Sequence, residues 1–142
     1  MITYLKIIIT VFLFKIGSTD WKRKKIYNKD LERLLFSVLV YLWSYGGQQV
    51  VDKIIGTLII SIPMLMITCF WTGSFGGGDI KLITICGLLL GSKGILYAAW
   101  IALLAASFYA VCIMTLEKSR KAEVALGPFI CFGVLCVYLN IF

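Results

Sequence analysis

Histidine is absent from this chain and acid is scarce, with seven Asp and Glu residues against 14 Lys and Arg in 142 positions. Charged residues make up only 15% of the sequence. An ordinary soluble domain carries about a quarter, so that class is excluded. Cysteine occurs five times, as Cys69, Cys86, Cys112, Cys131 and Cys136, but never as a CxxC pair. An odd number of cysteines inside apolar runs argues against a disulfide framework. With neither histidine nor an acidic cluster beside them they do not suit zinc, and they read as small buried apolar side chains. No metal or cofactor is expected. The lack of soluble surface also excludes nucleic acid as the partner of the +7 net charge.

What is present is apolar: 61% of the residues are hydrophobic. Six apolar segments can be marked, at Ile2–Ile16, Leu31–Tyr45, Val51–Trp71, Ile80–Leu90, Ile95–Leu116 and Val124–Phe142. The breaks fall at Gly17-Ser18, Gly46 to Gln49, Thr72 to Gly78, Gly91 to Gly94 and Glu117 to Glu123. Glycine, polar residues or charge dominate each break, as turns between helices require. The third, fifth and sixth segments approach the ~20 residues that cross a ~30 Å hydrocarbon core. Continuous rather than alternating apolarity excludes a transmembrane barrel. The expectation is an all-α, polytopic membrane bundle of about six helices, forming one domain over residues 1–142, with no appended soluble module.

Charge placement gives an orientation. Lys15, Lys22, Arg23, Lys24, Lys25, Lys29, Arg33, Lys81, Lys118, Arg120 and Lys121 fall on one side, 11 basic residues against Lys6, Lys53 and Lys93 on the other. The basic side is expected to be cytoplasmic, with both termini outside. The first segment has no small-residue cleavage site and ends in a basic cluster, so it reads as a retained membrane helix rather than a signal peptide. Small residues recur at four-residue spacing, at Gly87 and Gly91 and at Ala98, Ala102, Ala106 and Ala110. That spacing permits close helix contact in lipid.

Against this background two acids stand out. Asp20 opens the run Asp20-Trp21-Lys22-Arg23-Lys24-Lys25-Ile26-Tyr27-Asn28, and Asp79 closes Gly76-Gly77-Gly78-Asp79. Both lie at the expected cytoplasmic ends of apolar segments, where an ionisable group marks a candidate functional site. If Gly91 to Gly94 reaches the far interface, the 12 residues back to Asp79 climb only about 18 Å. Asp79 would then lie below the membrane boundary, in a cavity or a wet cleft. Two carboxylates facing each other suit peptide hydrolysis: one takes a proton from water while the other, kept protonated by its neighbour's charge, donates to the scissile carbonyl. Gly76 and Gly78 would allow extended substrate to approach the backbone. Lys22 and Lys81, each two residues beyond an aspartate, suit anchoring and local electrostatics. The plainer reading of each aspartate is an interfacial residue or helix cap. Asp30, Glu32, Asp52, Glu117 and Glu123 read as loop and cap residues.

These residues carry a resemblance. The chain resembles the prepilin peptidase family, the GxGD-type membrane aspartyl proteases also called type IV leader peptidases. That family's first motif has the form D-x-[KR]-x-[RK]-x-I-P-N, and Asp20, Lys22, Lys24, Ile26 and Asn28 fall on it. Its second, G-x-G-D-x-K-L followed by glycines, is matched by Gly76, Gly78, Asp79, Lys81, Leu82, Gly87 and Gly91. Gly127-Pro128-Phe129, with Gly133 beyond, is similar to the family's G-P-F segment. Tyr27 departs from the pattern, standing where the family usually has proline.

The resemblance implies an aspartic endopeptidase with Asp20 and Asp79 as its catalytic pair. It would remove the basic leader of type IV pilin-like precursors at the cytoplasmic face, just before their hydrophobic helix. The N-terminal cysteine-bearing region linked to N-methylation is lacking here, so a peptidase-only short form is expected. A basic leader would be repelled by Lys22–Lys25. That cluster suits anionic lipid headgroups better, at about 1 kcal/mol per basic residue. The rival from another class is a small membrane transport or assembly subunit whose acids bind protons or hold helices together.

Overall fold

The computed structural model describes residues 2–23, 26–44, 50–71, 76–117 and 125–139. Among them lie α1 (Ile2–Arg23), α2 (Asn28–Ser44), α3 (Val50–Phe70), α4 (Gly77–Glu117) and α5 (Gly127–Tyr138). The all-α expectation stands, but the bundle of six membrane spans does not. The described residues form five helices, and two stretches, Val50–Phe70 and Gly77–Thr115, are long and apolar enough to cross a membrane. α2 has 17 residues and opens with Lys29, Asp30, Glu32 and Arg33, while α5 has only 12. α1 carries Lys6, Lys15, Asp20, Lys22 and Arg23 along its length. The segments expected separately at Ile80–Leu90 and Ile95–Leu116 belong to one element, α4. Lys24, Lys25, Lys118, Arg120 and Lys121 and the expected break at Gly46 to Gln49 lie outside the described residues.

Glycine decides two of these differences. Gly17 was a candidate break, yet α1 runs through it. Its bare face receives Cys131 of α5, and helix packing offsets the ~1 kcal/mol propensity cost of glycine. Within α4, Gly91 alone leaves helical geometry, at φ 77° and ψ −177°. Glycine enters that left-handed region without a Cβ clash. The residue turns the chain back on itself. A straight helix would hold residues 79 and 109 about 45 Å apart. Instead Tyr109 packs its ring 5.1 Å from Trp21, the neighbour of Asp20, whose charge acts on Asp79. α4 is therefore a bent element whose two limbs return to the same end.

The small-residue stripe joins the helices. A Cβ on Gly56 of α3 would lie 2.6 Å from the carbonyl carbon of Gly91 and 2.7 Å from the carbonyl oxygen of Gly87, so backbone meets backbone. Ala98, Ala102 and Ala106 are buried, and the Ala98 carbonyl occupies the side-chain space of Gly133 on α5. Ile9, Leu13 and Ile16 of α1, Leu34 and Val38 of α2, Leu82 and Cys86 of α4 and Val134 of α5 fill the centre. Large apolar side chains such as Ile54, Leu58, Met66, Trp100, Leu104 and Phe108 cover the outside. That inverts a soluble surface and suits lipid contact. The protein is membrane-associated.

One buried charge ties α1 to α2. Asp30, 9% exposed, accepts from Lys15 Nζ at 3.0 Å and Arg33 Nη1 at 3.5 Å. In sequence it reads as a loop or cap residue; it does lie in the first turn of α2, and it also pairs with Lys15 on α1, 15 positions away.

Candidate active site

Asp20 lies in the last turns of α1 and is 5% exposed. Its carboxylate accepts the backbone N–H of Gly127, where α5 begins with Pro128 in the first turn. Proline suits that position because the amide it lacks would have no helical partner. Asp20 thus caps α5 from another helix, and no Cβ fits at Gly127 because Asp20 Oδ2 occupies the space.

Asp79 lies in the first turn of α4 and is half-buried. Its N–H donates to the Gly76 carbonyl at 3.0 Å, and the Gly76 N–H donates back to its carboxylate. The second bond is one half of a capping box, the side chain at the third helical position reaching back to the amide before the helix; glycine has no side chain to return it. Both carboxylates therefore meet helix N-termini, Asp20 that of α5 although it sits near the C-terminal end of α1, and N-terminal dipoles favour negative charge. They are near enough for the charge of Asp20 to act on Asp79, and both act on the thiol of Cys131, buried on α5.

Ile26 is the wedge that brings the two helix starts together. Its Cβ sits 2.9 Å from where a Gly78 Cβ would stand, and its Cδ1 3.2 Å from the same point on Gly127. The room at Gly78, which sequence reading reserved for substrate backbone, is filled from within. Gly76 is exposed, with the Asp79 carboxylate on its Cβ side, and Gly77 has open space around it.

The remaining site residues fall around this centre. Lys81 Nζ donates to Asn28 Oδ1 at 3.2 Å, tying α4 to the first residue of α2. Lys22 is exposed on the last turn of α1. Lys24 lies outside the described residues. Tyr27 starts α2 with its carbonyl, as proline also could, and adds a hydroxyl that proline lacks. Its carbonyl accepts from the Asp30 and Leu31 amides at 3.1 and 3.3 Å, starting α2, while its hydroxyl accepts from Arg23 Nη1 at 2.9 Å. The Arg23 guanidinium also lies 5.9 Å from the Tyr27 ring centroid.

Two openings include sequence neighbours of the acids, and neither is lined by Asp20 or Asp79 themselves. A cleft of about 290 Å³ runs between α1 and α5, lined by Leu13, Gly17, Trp21, Pro128, Cys131 and Leu135. A second, of about 370 Å³, lies between α2 and α4 among Asn28, Glu32, Lys81 and Thr84. Among the described residues no group of three or more His, Cys, Asp or Glu is placed to hold a metal ion.

Asp20, Asp79, Gly76 and Gly78 are thus gathered at one end, Lys81 and Asn28 form a neighbouring pair, and Lys22 stands apart in solvent. Ile26 and Gly127 stand within the sequence motifs, but nothing in those motifs gives them a site role. The helix-start signature Gly127-Pro128 was the available signal, but nothing local says which acid that helix start faces.

Comparison with known proteins bears on this geometry. A family model described as the type IV leader peptidase family matches residues 7–111, a stretch containing both aspartates. The chain is also 30% identical over 77 residues to the prepilin leader peptidase/N-methyltransferase of Bacillus subtilis (strain 168). That alignment takes in 54% of this chain and 31% of the relative, so the chain spans under a third of that protein's length. No solved structure matches.

Proposed function

This chain belongs to the type IV leader peptidase family, and on that footing we propose that it is an aspartic endopeptidase acting through Asp20 and Asp79. Its substrates are type IV pilin-like precursors, cut at the cytoplasmic face of the cell membrane. The observation that carries the reading is the convergence of two carboxylates, 59 positions apart in sequence, at two helix starts within electrostatic reach.

Drawn together across one water with substrate bound, the two carboxylates share one proton, because burial and mutual repulsion oppose double ionisation. The ionised member takes a proton from a water molecule, whose oxygen adds to the scissile carbonyl carbon. The protonated member donates to the carbonyl oxygen. Collapse of the tetrahedral intermediate breaks the C–N bond as a proton passes to the leaving amine. The amides of Gly127 and Gly76 hold the carboxylates while the proton moves. The apolar α1/α5 cleft, opening beside Trp21, receives apolar side chains of the precursor's hydrophobic segment. Lys81 holds the α2 start near the site through Asn28, and Lys22 meets anionic lipid headgroups.

The capping geometry favours a second reading, in which both acids only hold helix ends, as in an assembly or transport subunit. Asn separates the two, since it caps nearly as well as Asp and cannot share the proton. Asp20→Asn and Asp79→Asn are each expected to lower cleavage of a co-expressed pilin-like precursor by about 10²–10⁴-fold. Membrane levels and thermal melting should hold. Processing at the wild-type rate by either well-expressed variant would refute the two-aspartate mechanism.

A further inference from the structure

We propose that Asp52 and Lys53, at the start of α3, are positioning residues. They lock the apex of α4 and thereby set where the limb carrying Asp79 stands against Asp20. The proposal rests on the peptidase reading above.

The reversal at Gly91 leaves two helix ends side by side, one with unpaired carbonyls and one with unpaired amides. Gly91 is buried in protein, and backbone groups closed off from water are costly unless protein satisfies them. α3 supplies both partners from adjacent residues. The Ser92 amide donates to Asp52 Oδ2 at 3.3 Å, and the Ser92 hydroxyl donates to Asp52 Oδ1. Lys53 Nζ donates to the Leu89 carbonyl, in the last turn of the first limb.

The charges match the helix ends they touch. A carboxylate meets the amide end of the second limb, and an ammonium meets the carbonyl end of the first. Asp52 Oδ2 also fills the space where a Gly91 Cβ would stand. Gly56, one turn further along α3, presses its backbone on Gly87 and Gly91. The apex is thus held by two capping bonds and a backbone contact on one face of α3.

Leverage makes this matter at the other end. From Gly91 to Asp79 the first limb is about 18 Å long, so a 10° change at the apex would move Asp79 by about 3 Å. A displacement of about 1 Å can already cost about 10²-fold in rate. Asp52 and Lys53 belong to neither matching motif and lie at the far end of the limb from the aspartates.

The test pairs a distance with a rate. Spin labels at Gly77→Cys and Phe108→Cys, in a full chain with its native cysteines replaced, report the separation of the two limbs by electron–electron resonance. Asp52→Leu and Lys53→Met are expected to broaden that distance distribution and shift it by about 3 Å. In unlabelled chains the same substitutions should lower kcat for a pilin-like precursor by about 10- to 100-fold with KM little changed. Asp52→Asn keeps an acceptor for Ser92 and should stay near wild type in both measurements.

An unchanged distance in Lys53→Met and Asp52→Leu would overturn the clamp. So would an Asp52→Asn variant as damaged as Asp52→Leu, because a cap needs an acceptor and not a charge. If Asp52→Leu fails to fold, Lys53→Met decides alone. A wild-type chain that cuts no precursor counts against the peptidase reading, and the distance measurement then still decides the clamp.

Discussion

Adding one methyl group at Gly127 tests whether the Asp20 carboxylate is held in place by α5. A Cβ there would fall on Asp20 Oδ2, 2.9 Å from Asp20 Cγ and 3.2 Å from Ile26 Cδ1. Carbon atoms pack favourably at about 3.5–4.0 Å, so the carboxylate must retreat by roughly 1 Å or the first turn of α5 must lift. Overpacking of this size costs about 1–3 kcal/mol of stability. A roughly 1 Å displacement of a reacting group costs about 10²-fold in rate. Gly127→Ala is therefore expected to fold, melt somewhat lower and cleave a pilin-like precursor about 10²-fold more slowly at matched protein levels. Gly77→Ala is the matched control. Nothing lies within 4 Å of its Cβ position. Alanine should add about 0.5–1 kcal/mol to the helix start and leave cleavage unchanged. A Gly127→Ala variant that cleaves at the wild-type rate would refute the reasoning, as would a Gly77→Ala variant equally impaired.

Asp30→Asn removes the charge from two ion pairs whose cations, Lys15 and Arg33, are 52% and 60% exposed. Solvent screening limits the loss to about 1 kcal/mol, seen as a melting temperature lower by about 3 °C with cleavage preserved; an unaltered melt would mean that the pairs contribute nothing. From the 11-to-3 imbalance of basic residues we expect the end of α2 outside and the end of α3 in the cytoplasm. A membrane-impermeant maleimide should then label Trp43→Cys in intact cells and Phe70→Cys only after permeabilisation, and the opposite pattern would reverse the orientation.

Helical class and the two acid motifs were legible because their signals are local: continuous apolar runs, a basic cluster and glycines beside Asp79. What escaped was set by contacts between distant residues. Gly17-Ser18 looks like a break, but α1 continues because Cys131 of α5 packs on it. Gly91 to Gly94 looks like a loop between two spans, yet one residue suffices to turn the chain, and Ser92 to Gly94 remain helical. Asp52 was read as a cap, and it is one, but for a helix end 40 positions away. The helix start at Gly127 was readable from the proline after it. That this start faces Asp20 depends on how α1 and α5 pack, and no sequence spacing encodes that.

The reversal at Gly91 makes chain length here stricter than residue identity. Because helix resumes at once, there is no slack in which an added or lost residue could be absorbed. One residue inserted between Ser92 and Ala98 would rotate the rest of the second limb by about 100° about its axis. Ala98 and Ala102 would swing away from Gly133, and their places at the α5 contact would be taken by the bulkier Tyr97 and Ile101. α5 would lose its seat, and with it the amide that Gly127 presents to Asp20. A single-residue insertion far from both acids should therefore be more harmful than most substitutions at the same positions.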